Sequence, residues 1–330
     1  MKPKSILMAL AIVAGFAFAG CEKEIDPREP GMLVPKTVEQ DPALSSISVN
    51  GTTLHAETFG NPDSAIIIVL HGGPGGDYRS LLKCRAFADN GYFVVFYDQR
   101  GSGLSKRHEK SIYSIQLMLD DLTAVIQHYQ NSAGQKVFLL GHSWGAMLAT
   151  AYINTYPTRV QGVILAEPGG FIWNDAKEYI SRANNINLLS EETNDAIFFD
   201  QVFTGKESEH EIVDYKMQLM SAKENAKNNR IGNAGHYPFW RSGAIVAKAL
   251  FEIADRDGFN WTTNLGSFTT KVLFTYSELN TAYGLQHARL VSAPYPNVQM
   301  EKIPGTGHEI LFFGWDAFYP VALAYLNQLK

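Results

Sequence analysis

A chain of 330 residues, 45% hydrophobic and 18% charged, is long enough to bury one large core and carry an insertion. Its formal net charge of −5 leaves no basic surplus to neutralise phosphates, which excludes a general nucleic-acid binder. Two cysteines exclude a disulfide framework. No metal-ligand spacing or phosphate-cradling loop is present, so neither a metal nor a cofactor is expected.

Lys2 and Lys4 precede an apolar run from Ile6 to Phe18, followed by Ala19-Gly20-Cys21. So short a run reads as a secretory signal over residues 1–20, not as a transmembrane helix. The small residues before Cys21 resemble the bacterial lipoprotein cleavage box. That resemblance implies lipidation at Cys21, a membrane lipid anchor and an exported, cell-envelope location. Residues 21–43, with Pro27, Pro30, Pro35 and Pro42, have the composition of a flexible tether. The second cysteine, Cys84, reads as a small buried hydrophobe.

Strand patterns begin after Ser45. Ile47–Val49, a turn at Asn50-Gly51 and Thr53–Thr58 predict an antiparallel hairpin. Ala65–Leu70 is a continuous apolar, β-branched run, the pattern of a strand buried on both faces, and it runs into His71-Gly72-Gly73-Pro74-Gly75-Gly76. Tyr92–Tyr97 repeats the pattern and ends in the polar loop Asp98–Ser105, which reads as a brace rather than a reacting group. Leu117–Tyr129 has the spacing of an amphipathic helix.

Val137–Leu140 predicts another buried strand, and Ala146–Tyr156 a helix; between them lies Gly141-His142-Ser143-Trp144-Gly145. A Gly-x-Ser-x-Gly arises readily by accident in a chain with 28 glycines, as an ordinary tight turn. Flanked by a strand and a helix it instead predicts a nucleophile elbow, with Ser143 in a strained backbone conformation above the sheet. The glycine loop at 71–76 can turn backbone N–H groups inward, so Gly73 and Trp144 are the expected oxyanion-hole donors. Gly162–Ala166 predicts a strand ending at Glu167.

Beyond Glu167 the strand signals stop. Residues 168–266 are polar, with helical stretches at 212–226 and 242–254, and read as a helical cap. Trp173, Tyr237, Phe239, Trp240 and Trp261 are its aromatic candidates for lining a pocket. Lys271–Tyr276 and Val298–Ile303 return to strand pattern, and Pro304-Gly305-Thr306-Gly307 forms a tight loop before His308.

The ordered motifs His71–Gly75, Asp98–Gly103 and Gly141–Gly145 together resemble the α/β-hydrolase family and, within it, the proline iminopeptidase group. The resemblance covers residues 45–168 and 270–329. It implies an α/β-hydrolase fold: a mostly parallel sheet flanked by helices, with a core at 44–167 and 267–330 and the cap inserted between. The family's chain order of serine, acid and histidine selects His308 as general base among nine histidines. His71 and His142 then orient loops, and His108, His128, His210, His236 and His287 read as surface loop residues.

The acid is the point of departure from the family pattern, because the aligned position is Asn280, which carries no charge. An amide can hold an imidazole but cannot compensate an imidazolium. Glu167 is the preferred acid: its strand resembles that of some haloalkane dehalogenases, whose catalytic Glu ends the corresponding strand. Glu278 is the alternative, and Asn280 or no acid the remaining reading. The resemblance implies acyl transfer on a small peptide or acyl substrate, first of all release of an N-terminal proline, with the free amine held by cap carboxylates such as Glu191, Glu192, Asp195 or Asp200. A carboxylesterase or other amide hydrolase, and a non-catalytic binding lipoprotein, are the competing readings.

Overall fold

Strand β3 (Ala65–Leu70) organises the molecule, because it offers a large side chain to each face of the sheet at every step. Ile66, Ile68 and Leu70 join the core on one side, and Ile67 and Val69 the core on the other. Each such fully buried aliphatic side chain contributes on the order of 1.5–3 kcal/mol relative to an exposed one. The computed structural model describes residues 33–183, 208–224 and 229–330.

Eight strands form one sheet in the order β1-β2-β4-β3-β5-β6-β7-β8. They are β1 (Ser46–Val49), β2 (Thr52–Phe59), β3, β4 (Tyr92–Tyr97), β5 (Val137–His142), β6 (Gly162–Ala166), β7 (Val272–Ser277) and β8 (Val298–Ile303). β1 and β2 pair antiparallel as the expected hairpin, β2 runs antiparallel to β4, and every remaining pair is parallel. The fold class expected from the sequence is therefore present: a mostly parallel sheet with helices on both faces.

Helices α1 (Ile115–Tyr129) and α2 (Trp144–Thr155) supply the core of one face. The 3₁₀ turns at Arg79–Asn90 and the C-terminal helix Trp315–Leu329 cover the other. α1 starts where Ser114 accepts a hydrogen bond from the Leu117 N–H, a side-chain N-cap. Cys84 is free and buried, as its apolar surroundings predict.

Between β6 and β7 lie helices α3 (Trp173–Ala183), α4 (Glu209–Glu224) and α5 (Ala244–Asp257), the described part of the insertion. Among the described residues no helix is long and apolar enough to cross a membrane. Cys21, the signal segment and the cap carboxylates Glu191, Glu192, Asp195 and Asp200 lie outside the described residues.

One boundary shifts. The stretch 33–43, whose prolines suggest a tether, packs on the domain: Val34, Thr37 and Val38 are buried. The Val38 N–H donates to the Leu104 carbonyl at 2.8 Å, and Arg241 of the insertion donates to the Pro35 carbonyl at 2.9 Å. Composition registered the prolines there; the two valines decide the packing.

Candidate active site

The C-terminal ends of the parallel strands converge on one edge of the sheet, and the predicted residues sit there. At the tip of β5, Ser143 has φ 53° and ψ −118°, well outside the regions open to an ordinary residue. Holding it there costs on the order of 1–3 kcal/mol. Two glycines make the turn possible. A Cβ on Gly145 would run into the Leu70 and His71 carbonyls, and one on Gly141 would press on the backbone of Gly145 and Ala146. The Ser143 N–H donates to the Ala166 carbonyl at 2.9 Å, which locks the turn against β6. Its hydroxyl has no hydrogen-bond partner among the described residues and borders a cavity of about 320 Å³.

Glu167 ends β6 with φ 49°, also in the left-handed region, and its side chain is fully buried. One carboxylate oxygen accepts the Ser277 N–H at 3.0 Å and the Ser277 hydroxyl at 2.7 Å. The other accepts Asn280 Nδ2 at 3.2 Å and pairs with His308 Nδ1 at 2.9 Å. Four donors around an acceptor-only group suit the ionised form. Burial would raise the carboxyl pKa, but the His308 and Ser277 hydrogen bonds outweigh it and hold the group below the ordinary carboxylate value. For His308, burial opposes the charged ring, yet the hydrogen bond and charge of Glu167 prevail and raise its pKa above the ordinary histidine value. His308 Nδ1 thus carries the proton toward Glu167, leaving Nε2 free to accept one.

Glu278 is placed elsewhere. It pairs with Lys302 at 2.8 Å on the exposed side of the turn and accepts the Gly305 N–H at 3.0 Å. Asn280, where the family pattern puts a carboxylate, donates to Glu167 and to the Tyr179 hydroxyl, the latter at 3.0 Å. The Tyr179 hydroxyl lies 3.3 Å from His308 Nδ1. Nothing in the sequence around α3 marks Tyr179 for this position, since a tyrosine on an amphipathic helix is ordinary core.

Gly73 and Trp144 both border the cavity, and neither N–H is taken by an acceptor among the described residues. Trp144 opens α2, so its N–H lies at the positive end of a 12-residue helix. Gln99 ties the two donors' frames together: it donates to the His71 carbonyl at 3.0 Å and accepts Trp144 Nε1 at 2.9 Å. The Asp98 loop braces this frame from behind. Asp98 accepts the Tyr78 and Leu104 N–H groups and pairs with His55 at 2.9 Å, while Arg100 grips Asp121 with two bonds.

His142 Nε2 donates to the His308 carbonyl at 2.8 Å, so this histidine orients the loop that carries its neighbour. Burial lowers its pKa and keeps it neutral. Glu309, 7% exposed, borders the cavity with no hydrogen bond to its side chain among the described residues; His142 Nδ1 lies 3.9 Å from its carboxylate. Sequence reasoning passed over Glu309, although its place beside His308 was the available signal. Asp77, also bordering the cavity, accepts the N–H groups of Arg79, Trp240 and Arg241; burial pushes its carboxyl up to about 7.

Of the cap aromatics, Trp173, Tyr237 and Phe239 line the cavity. Trp240 instead packs edge-on against Tyr78 and His55, and Trp261 stacks on Phe259 at 3.9 Å. His287 is not a surface loop residue: it is buried on the helix Gly284–Ser292 and bonds the Gly169 carbonyl at 2.7 Å.

A family model described as serine aminopeptidase, S33, matches residues 61–230, just over half of the chain. A proline iminopeptidase of Thermoplasma volcanium is 36% identical over 104 residues, 32% of this chain and 35% of that protein. Epoxide hydrolase B of Mycobacterium tuberculosis is 32% identical over 121 residues, 36% of this chain and 33% of that protein. The chain therefore spans about a third of the length of these curated relatives. The crystal structure of a proline iminopeptidase from Mycobacterium smegmatis superposes with a TM-score of 0.56 over 86% of this chain and 98% of that one, at 19% identity, a likeness of fold. By the family match and its sheet topology, the chain belongs to the serine aminopeptidase S33 family of α/β-hydrolases.

Proposed function

We propose that the protein is a serine hydrolase that works through an acyl-enzyme and releases an N-terminal proline or another small residue from short peptides. The observation that carries the chemistry is the Glu167–His308 pair, 2.9 Å apart with Glu167 fully buried, on the cavity that both His308 and Ser143 line. Ser143 attacks the scissile carbonyl carbon as its proton passes to His308 Nε2, and Glu167 balances the imidazolium. The carbonyl oxygen, now negative, is received by the Gly73 and Trp144 N–H groups. His308 then gives its proton to the departing amine. Water, deprotonated by the same nitrogen, attacks the acyl-enzyme and frees Ser143.

Glu309 favours an amine-bearing substrate over a neutral acyl ester. A buried carboxylate without a partner beside the base is costly, and a cationic amine entering the cavity would relieve it. The matched pair that tests this is a prolyl and a cyclopentanecarbonyl 4-nitrophenyl ester, which differ only in the ring N–H₂⁺. The preference in kcat/KM for the prolyl ester is expected to fall by about 10- to 100-fold in Glu309→Gln. An unchanged preference would shift the reading to the carboxylesterase alternative, which the apolar lining from Trp173, Phe251 and Phe259 also suits.

The site of action is proposed from the sequence alone as the cell envelope, with Cys21 lipidated. Metabolic labelling with a palmitate analogue is expected to mark the protein and to fail in Cys21→Ala; equal labelling of both would overturn the anchor.

A further inference from the structure

Three lone-pair donors meet beside the nucleophile. His142, His308 and Glu309 present ligand atoms that all lie within 4.8 Å of one another, although 166 positions separate the two histidines in the sequence. Each histidine has its other nitrogen already committed. His142 Nε2–H donates to the His308 carbonyl, which can only accept, so Nδ1 is left with its lone pair. His308 Nδ1 is paired with Glu167, which leaves Nε2 as the lone-pair nitrogen. These are the outer partners that metal-binding histidines ordinarily have, a carbonyl for one and a carboxylate for the other.

Glu309 is the independent sign of a ligand. Its side chain is more than nine-tenths buried, borders the cavity and receives no hydrogen bond among the described residues, with His142 Nδ1 3.9 Å away offering a lone pair where a donor would be needed. Two acceptors facing each other across such a gap repel unless a cation stands between them. Two neutral imidazoles and a carboxylate form the donor set that suits zinc, with the open position toward the cavity.

We propose that His142, His308 and Glu309 form an inhibitory zinc site that switches the hydrolase off by occupying the lone pair of its general base. The zinc ion takes no part in the reaction. Coordination by His308 Nε2 removes the acceptor for the Ser143 proton, so bound zinc and turnover exclude each other. The cation occupies the same acceptors that would receive a substrate amine, so zinc and an aminoacyl substrate compete.

The site is tested on the full chain carrying Ser143→Ala, titrated with zinc in competition with a chromophoric chelator. One zinc per chain is expected, with affinity falling at least about 10-fold when Glu309→Gln is added. In the unsubstituted protein, zinc is expected to abolish ester hydrolysis, EDTA to restore it, and magnesium to leave it unchanged, since magnesium avoids imidazole-rich sites. Absence of stoichiometric zinc, equal affinity with and without Glu309, or turnover by the zinc-loaded protein would each overturn the proposal. The binding titration needs no catalysis, so it decides the site even if the hydrolase reading itself fails.

Discussion

Ser143→Ala lowers kcat for an aminoacyl or acyl ester by about 10⁶-fold while the substrate still binds. The magnitude follows from what the hydroxyl contributes. Without it no covalent intermediate forms, and the remaining machinery of oxyanion donors and cavity can only assist water, which enters with no held position. The substitution keeps the elbow. Alanine adds no bulk next to Gly72, whose hypothetical Cβ would lie 3.2 Å from the Ser143 Cβ, and the Ser143 hydroxyl has no hydrogen bond to lose among the described residues. Thermal unfolding is therefore expected to shift by no more than a few degrees. Activity lost together with the fold would point to a structural role for this residue.

Glu167→Gln lowers kcat by about 10³- to 10⁴-fold, whereas Glu278→Gln changes it by less than about twofold. The contrast rests on what surrounds each carboxylate. Glu167 accepts from Ser277 twice, from Asn280 and from His308. A glutamine would turn an NH₂ toward one of those donors and leave the imidazolium without a counter-charge. Glu278 lies on the surface, paired with Lys302, and reaches none of the cavity residues.

The same substitution sets a pH prediction. His308 must be neutral to accept the Ser143 proton, so the rate is lost as pH falls through its pKa, which Glu167 holds above the ordinary 6.5. Once the carboxylate is gone, burial dominates and favours the neutral ring. The acidic limb of kcat/KM in Glu167→Gln is therefore expected at lower pH than in the parent. A limb that stays in place would assign the titration to another group. A loss of turnover at Glu278 with Glu167→Gln active would reverse the choice of acid.

The strands were legible because burial on both faces leaves no room for polar residues. Ala65–Leu70 and Tyr92–Tyr97 coincide residue for residue with β3 and β4. The elbow was legible for a steric reason, since Gly141 and Gly145 are required wherever a helix turns this closely over a neighbouring strand. The acid was harder to read. Asn280 in place of a carboxylate left two glutamates and an amide as alternatives, and what separates them is the direction each side chain takes from its turn. Asn280 turns out to hold Glu167 from the neighbouring strand tip.

Less could be read where partners come from distant segments. Tyr179 reaches His308 from α3, Asp77 gathers N–H groups from Trp240 and Arg241, and Asp214 is gripped by both Arg107 and Arg241. None of these pairings leaves a local pattern. The 3₁₀ turns at Arg79–Asn90 went unread although Leu81, Cys84 and Phe87 are buried at the three-residue step of such turns. The cap aromatics divided by packing: Trp261 spends its ring on Phe259, and Trp240 on Tyr78.

The proposed chemistry rests on one reactive oxygen. Treating the purified full chain with a fluorophosphonate, then mapping the adduct by peptide mass spectrometry, reads it directly. A single adduct on Ser143 is expected, absent in Ser143→Ala and strongly slowed in Glu167→Gln. An unlabelled Ser143 under conditions that label a control serine hydrolase, or an adduct on another residue, would contradict it.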